Sequence, residues 1–177
     1  MLTKEQKEWV EARSDKPIFV VPYDLRAGEL YEKVKKKIQN LLGTETVIEH
    51  SGASSLGISG QDEIDVSVVI RKDQFALYIS KLEKEFGPVK SHYPDRARFE
   101  VKEEGKKIDL KIVDVNHPNY IQGKIFEGYL RKHPEDLERY RVLKETSSGL
   151  SVKEYYRKKI EFINEILSRA GMLNDNL

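Results

Sequence analysis

The sequence predicts an α+β fold, a mixed β-sheet flanked by helices, with a helical C-terminal segment. Three observations carry this. Residues 46–48 and 64–70 are runs rich in side chains branched at Cβ, which suit a pleated, half-buried surface. Apolar residues before and after those runs, at 30–42 and 75–86, recur at helical spacing. From His117 onward the patterns are helical.

Taken in order, Thr3 followed by Gln6 resembles a capping box, and Trp9 and Val10 give a short peripheral helix an inner side. Ile18-Phe19-Val20-Val21 is a β-rich run ending at Pro22. Asp24 is placed to cap a helix whose Leu30, Val34, Ile38, Leu41 and Leu42 share one face, with Gly43 as its stop. The strand at 46–48 leads into Ser51-Gly52-Ala53-Ser54-Ser55-Leu56-Gly57-Ile58-Ser59-Gly60, a segment with little side-chain bulk to pack. Because strand 64–70 follows directly, this segment is expected to be a binding loop between two core strands rather than a linker.

Asp73 is placed to cap the next helix, which carries Phe75, Leu77, Tyr78, Leu82 and Phe86 and ends at Gly87-Pro88. Residues 97–101 and 108–113, separated by a charged stretch, read as a β-hairpin around Gly105. Pro134 suits a first helical turn, and residues 155–170 form a long amphipathic stretch. The 177 residues are expected to form one domain, a mixed-sheet core over 1–116 with a helical extension over 117–177.

Composition narrows the function classes. With 31 basic and 30 acidic side chains the formal net charge is +1, so nucleic acid is not indicated as a partner. The lack of cysteine excludes disulfides, thiolate metal sites and a cysteine nucleophile. The N-terminal residues lack the apolar core of a secretory signal, and no apolar run approaches the roughly 20 residues that span a bilayer. A cytoplasmic location with no membrane partner is the expectation.

The chemistry gathers near Gly52. A small pair, Gly52 and Ala53, lets bare backbone approach a phosphate group closely. Strand alternation puts Glu63 and Asp65 on one face while Ile64 and Val66 point into the core. Paired carboxylates suit hard cations, and magnesium commonly shares them with substrate phosphates during phosphoryl or nucleotidyl transfer. Asp109 is the best third carboxylate, because a charge inside the apolar run 108–113 is expensive without a partner; Asp114 is the alternative. The plainer reading treats all of these as ordinary strand-edge acids.

These residues resemble the GrpB family, a branch of the superfamily that includes DNA polymerase β-like and aminoglycoside-modifying nucleotidyltransferases. Phe19-Val20-Val21-Pro22-Tyr23-Asp24 is similar to the family's opening strand and Pro-Tyr-Asp turn. His50-Ser51-Gly52-Ala53-Ser54-Ser55-Leu56-Gly57 is similar to its His-Ile-Gly-Ser-Thr-Ser-Val-Pro-Gly loop, and Ile64-Asp65-Val66 to the Ile-Asp-Ile that follows. Phe126-Glu127-Gly128-Tyr129-Leu130-Arg131-Lys132-His133-Pro134-Glu135 resembles its Phe-Arg-Asp-Tyr-Leu-Arg-x-His-Pro-Glu, with Tyr140, Leu143 and Lys144 after it. Ala53 stands where serine is usual, the loop is one residue shorter, and Gln61-Asp62 replaces Lys-Pro. Asp109-Leu110-Lys111 occupies the place of a frequent His-Leu-His, so Asp109 restores the superfamily's third carboxylate.

The resemblance implies a nucleotidyltransferase-like fold and a metal-dependent transfer of a nucleoside monophosphate from a nucleoside triphosphate to an acceptor hydroxyl. Glu63, Asp65 and Asp109 are then the catalytic, metal-holding carboxylates, for Mg2+ or Mn2+. Two alignments of the acidic pair stay open, Glu63 with Asp65 or Asp65 with Ser67. His50, Ser51, Gly52, Ala53, Ser54 and Ser55 form the candidate phosphate loop, and Lys111 and Arg98 face the triphosphate. For His50 a structural hydrogen-bonding role is the alternative, and for Arg96 a solvated surface charge. His133 and the helix-face tyrosines read as turn and core-edge residues. Residues 35–37 and 103–107 read as solvated faces and a hairpin tip. The alternative function is a non-catalytic nucleotide or small-ligand binding protein on the same scaffold; a third reading is a protein-interaction domain using the helical end.

Overall fold

Five strands, β1 (Val47–Ser51), β2 (Glu63–Ile70), β3 (Ser91–Tyr93), β4 (Arg96–Glu103) and β5 (Lys106–Asp114), form one sheet in the order β1-β2-β5-β4-β3. The structure is a computed structural model and describes residues 1–172. β2 and β5 run parallel, while the other neighbours are antiparallel, so the sheet is mixed as expected. The parallel pair lies inside the sheet, with a strand on either side. β4 and β5 form the expected hairpin, whose turn residues Glu104 and Gly105 both adopt positive φ.

The chain divides into two compact units. The unit of residues 23–58 and 62–121 holds the sheet together with α2 (Ala27–Leu42), α3 (Gly52–Ser55) and α4 (Phe75–Phe86). Leu30, Val34 and Ile38 of α2 and Ile79 and Leu82 of α4 join Ile64, Val66, Val68, Phe99, Ile108, Leu110 and Ile112 in one apolar core. Alternation in the strands and i, i+4 spacing in the helices thus meet on a single face of the sheet.

The other unit, residues 1–22, 59–61 and, among the described residues, 122–172, contains α1 (Lys4–Glu11), α6 (Pro134–Thr146) and α7 (Val152–Arg169); α5 (Pro118–Lys132) begins in the first unit and continues here. Thr3 and Gln6 form the capping box read from the sequence, and Ser151 with Glu154 forms a second one at α7. Its interior is aromatic: Phe126 meets Tyr140 edge-on at 5.2 Å, and Tyr140 stacks on Phe162 at 5.3 Å. Buried Asp136 is held by Arg139 at 2.6 Å and Arg169 at 3.1 Å.

Several expectations change. Residues 18–21 form no strand of the sheet: the Ile18 amide donates to the Leu150 carbonyl, and Val21 makes an isolated bridge to Gly60. The β-rich composition there serves pairing with a turn and not with a ladder. Asp24 does not cap α2; its carboxylate accepts from the Arg26 amide at 2.9 Å in the turn before the helix. Asp73 lies inside a 3-10 turn, Lys72–Gln74, that precedes α4. Residues 103–107 are only partly a solvated tip. Glu103 is buried and pairs with Lys37 at 2.6 Å, and Lys106, its side chain 10% exposed, pairs with Asp24 at 3.3 Å and also with Asp62. β3 was not legible, being three residues long and partly exposed at the sheet edge.

Candidate active site

The acidic residues singled out from the sequence converge on the face of the sheet opposite the core. In the β2–β5 register Asp65 lies directly across from Asp109, Glu63 across from Lys107, and Ser67 across from Lys111. Side chains of paired residues share a face, so three carboxylates meet there: one oxygen each from Glu63, Asp65 and Asp109 all lie within 4.8 Å of one another. The expected Asp109 thus faces the acidic pair. Asp114, at the far end of β5 opposite Ile70, instead accepts from the Asn116 amide at 2.7 Å and stands apart from the cluster.

Gly52 is where the small-residue segment touches the cluster. Its φ of +74° lies in the left-handed region, and a Cβ built on it falls 2.2 Å from Asp65 Oδ2 and 3.0 Å from Asp65 Cγ. Glycine is required here because the Asp65 carboxylate packs against the backbone. The segment read as an open loop is one turn of helix, α3, with Ser51 as its N-cap in extended conformation; Ser55 Oγ donates to the Gly52 carbonyl at 3.0 Å. Ala53 and Ser54 lie within the same turn.

His50 does not share the carboxylate face. It pairs with Val66 in register, stacks on Tyr31 at 4.7 Å, and its Nε2 lies 2.9 Å from Ser54 Oγ. It therefore braces the helical turn from the core side, and Tyr31 is fixed in turn by a hydrogen bond to the Ile48 carbonyl at 3.0 Å.

Cations complete the charged face. Lys111 Nζ lies 2.5 Å from Asp65 Oδ1 and 3.1 Å from Asp109 Oδ2, Arg98 pairs with Asp109 Oδ1, and Lys107 lies 2.8 Å from Glu63 Oε2. Burial works against the Lys111 charge, but Asp65 and then Asp109 outweigh it and hold its pKa above the usual lysine range. Glu63 raises Lys107 in the same way, against the cost of burial. Asp109 is 4% exposed, which makes it the most deeply seated of the three acids.

Sequence reasoning missed Lys107, although its period-two relation to Asp109 and Lys111 places all three on one face. It also missed Glu49 of β1, opposite Ser67, which accepts a hydrogen bond from Tyr120 at 3.2 Å. Burial and then the Glu49 charge push the Tyr120 hydroxyl up to about 12.

Hard carboxylate oxygens this close, beside a glycine turn, are a donor set that fits a magnesium- or manganese-sized ion. The sheet, its flanking helices and this cluster together define an α+β protein with a mixed sheet and a three-carboxylate face. The family described as GrpB protein matches residues 17–169, and the chain belongs to the GrpB family. A UPF0157 protein of Vibrio cholerae is 29% identical over 155 residues, covering 84% of this chain and 79% of that one. The crystal structure of conserved protein GrpB from Enterococcus faecalis aligns with a TM-score of 0.66 at 20% identity, over 86% of this chain and 96% of that chain. A chain of the GLD-2/RNP-8 complex aligns with a TM-score of 0.53 at 14% identity, over 99% of this chain and 66% of its own length. These two likenesses establish the shared fold. Among the described residues no helix is long and apolar enough to cross a membrane.

Proposed function

We propose that this protein is a metal-dependent nucleotidyltransferase that moves a nucleoside monophosphate from a nucleoside triphosphate to an acceptor hydroxyl. The observation that carries the reading is the convergence of Glu63, Asp65 and Asp109 oxygens within 4.8 Å, on adjacent parallel strands beside the Gly52 turn.

The acceptor oxygen attacks the α-phosphorus, a new phosphoester bond forms, the α–β anhydride bond breaks, and pyrophosphate leaves. A carboxylate of the cluster takes the acceptor proton. A bound Mg2+ or Mn2+ supplies neutralisation of phosphate charge at Glu63, Asp65 and Asp109. Lys111 and Arg98 add positive charge beside the same carboxylates, favouring a polyphosphate over a neutral ligand. The Gly52 turn, with Ser51, Ala53, Ser54 and Ser55, borders the carboxylates and presents the backbone to which phosphates are bound, and His50 keeps that turn in place.

A second reading is a nucleotide- or small-ligand-binding protein without catalysis. It is favoured by the pairing of all three carboxylates with Lys107, Lys111 and Arg98, which gives a charge-balanced face with no ion added.

Titration of the full chain with each nucleoside triphosphate, with and without Mg2+, separates them. The enzyme reading expects magnesium-dependent binding that Asp65→Ala abolishes, with the variant's circular dichroism unchanged. Binding that ignores both Mg2+ and Asp65→Ala rules out the metal site.

A further inference from the structure

Asp65 and Asp109 are direct neighbours across a parallel pair, and two like charges at that spacing repel unless a cation lies between them. The cation present is an amine. Lys111 Nζ touches one oxygen of each carboxylate, at 2.5 and 3.1 Å. Arg98 takes the other oxygen of Asp109, so both Asp109 oxygens are engaged by side chains of this chain.

We propose that the Lys111 ammonium is the built-in counter-ion of the Asp65–Asp109 pair, and that a divalent cation reaches both carboxylates only by displacing it. Lys111 is then a positioning residue that sets the metal affinity of the site. The inference rests on reading Glu63, Asp65 and Asp109 as metal ligands.

The physical argument is competition for the same oxygens. Magnesium holds its ligand oxygens at about 2.0–2.1 Å, so an ion on Asp65 Oδ1 and Asp109 Oδ2 lies within a few ångströms of an ammonium bonded to those atoms. Double and single positive charges that close repel strongly in a partly buried setting. The lysine is the group that yields. Its stem has four rotatable carbons and its side chain is 39% exposed, whereas the carboxylates are fixed by the central strands and Asp109 is almost fully covered. Displacement gives up two ion-pair contacts, so the wild-type site binds metal more weakly than its carboxylates alone dictate.

The test is Mn2+ binding to the full chain, read as free Mn2+ by electron paramagnetic resonance, for wild type, Lys111→Met, Lys111→Arg and Lys102→Met. Lys102 lies on the same face, opposite Lys107 in register, and is exposed, so it reports the effect of removing any nearby positive charge. Lys111→Met is expected to tighten Mn2+ binding about tenfold or more, Lys111→Arg to stay near wild type, and Lys102→Met to change it less than about twofold. A lysine that merely props up the carboxylates predicts the reverse sign. If wild type binds Mn2+ and Lys111→Met binds it equally or more weakly, the displacement proposal is overturned and the metal reading stands. An equal gain in Lys102→Met also overturns it, as a bulk field effect. If neither wild type nor Lys111→Met binds Mn2+, the metal reading falls and this inference with it. Lys111→Gln, which keeps a polar head, replaces the methionine variant should that variant fail to fold.

Discussion

The two faces of the sheet are made by the same strands and differ only in residue parity. On β2 and β5 the even positions, Ile64, Val66, Val68, Ile108, Leu110 and Ile112, are fully buried. The odd positions Glu63, Asp65, Ser67, Lys107, Asp109 and Lys111 carry carboxylates, amines or a hydroxyl, and the odd face turns apolar at its far end, where buried Val69 pairs with Val113. The first face is held by apolar burial, which is non-directional and large. The second is held by ion pairs, whose net contribution at partly exposed positions is small. Stability and chemistry are thus separated by a single residue step, and a one-residue slip of register exchanges them. Substitution on one face is expected to change folding energy, and on the other to change what the surface binds.

The strongest test of that separation is on the core face. Leu110 is fully buried between Asp109 and Lys111 in sequence and packs in the central apolar cluster. Leu110→Ala is expected to cost about 2–5 kcal/mol in urea denaturation, while Mn2+ affinity at a temperature where the variant is folded stays near wild type. A large loss of metal affinity without loss of stability breaks the division of labour between the faces.

A sharper test lies at Gly52, where backbone conformation and the carboxylate face meet. Gly57 is the internal control, because it too has positive φ, +69°, yet nothing lies within 4 Å of an added Cβ. Both alanine variants pay the left-handed backbone cost of about 1–2 kcal/mol. Only Gly52→Ala also drives a methyl group into Asp65. It is therefore expected to lose metal-dependent nucleotide binding, with Gly57→Ala keeping it. Equal binding in the two variants shows that the close approach of Gly52 to Asp65 has no functional weight.

How much of this was legible depended on whether the cause was local. Strand 64–70 and the helix carrying Leu30, Val34 and Ile38 were readable because propensity and periodicity act within a few residues. Glu63 and Asp65 were readable as a pair for the same reason. That Asp109 faces them depends on the register of β2 with β5, which are separated by a helix and two further strands and leave no local mark. Residues 18–21 misled because a β-rich run has the same composition whether its partner is a ladder or a turn at Leu150. That a Cβ on Gly52 would strike Asp65 was not legible, because it depends on how the turn packs against β2. Charge at residues 103–107 was read as solvated because the partners of Glu103 and Lys106, namely Lys37, Asp24 and Asp62, are remote in sequence.

The smallest effect is expected where charge intrudes at the margin of the core face. Lys106, two residues before Ile108, shares that parity and is accommodated by Asp24 and Asp62. Hydrogen bonds from Arg26, and to a lesser degree Lys106, lower the Asp24 carboxyl from its ordinary 3.8 to about 2. A carboxyl depressed in the folded state stabilises it above the unfolded pKa and loses that contribution as pH falls through the folded one. Asp24 therefore supports the fold above 3.8 and ceases to do so toward 2. Urea midpoints of wild type and Asp24→Asn are expected to differ modestly at neutral pH and to converge across that window. A gap that stays constant down to pH 2 assigns the difference to the turn before α2, where the Asp24 side chain accepts the Arg26 amide, and removes charge from the account of how the core face ends.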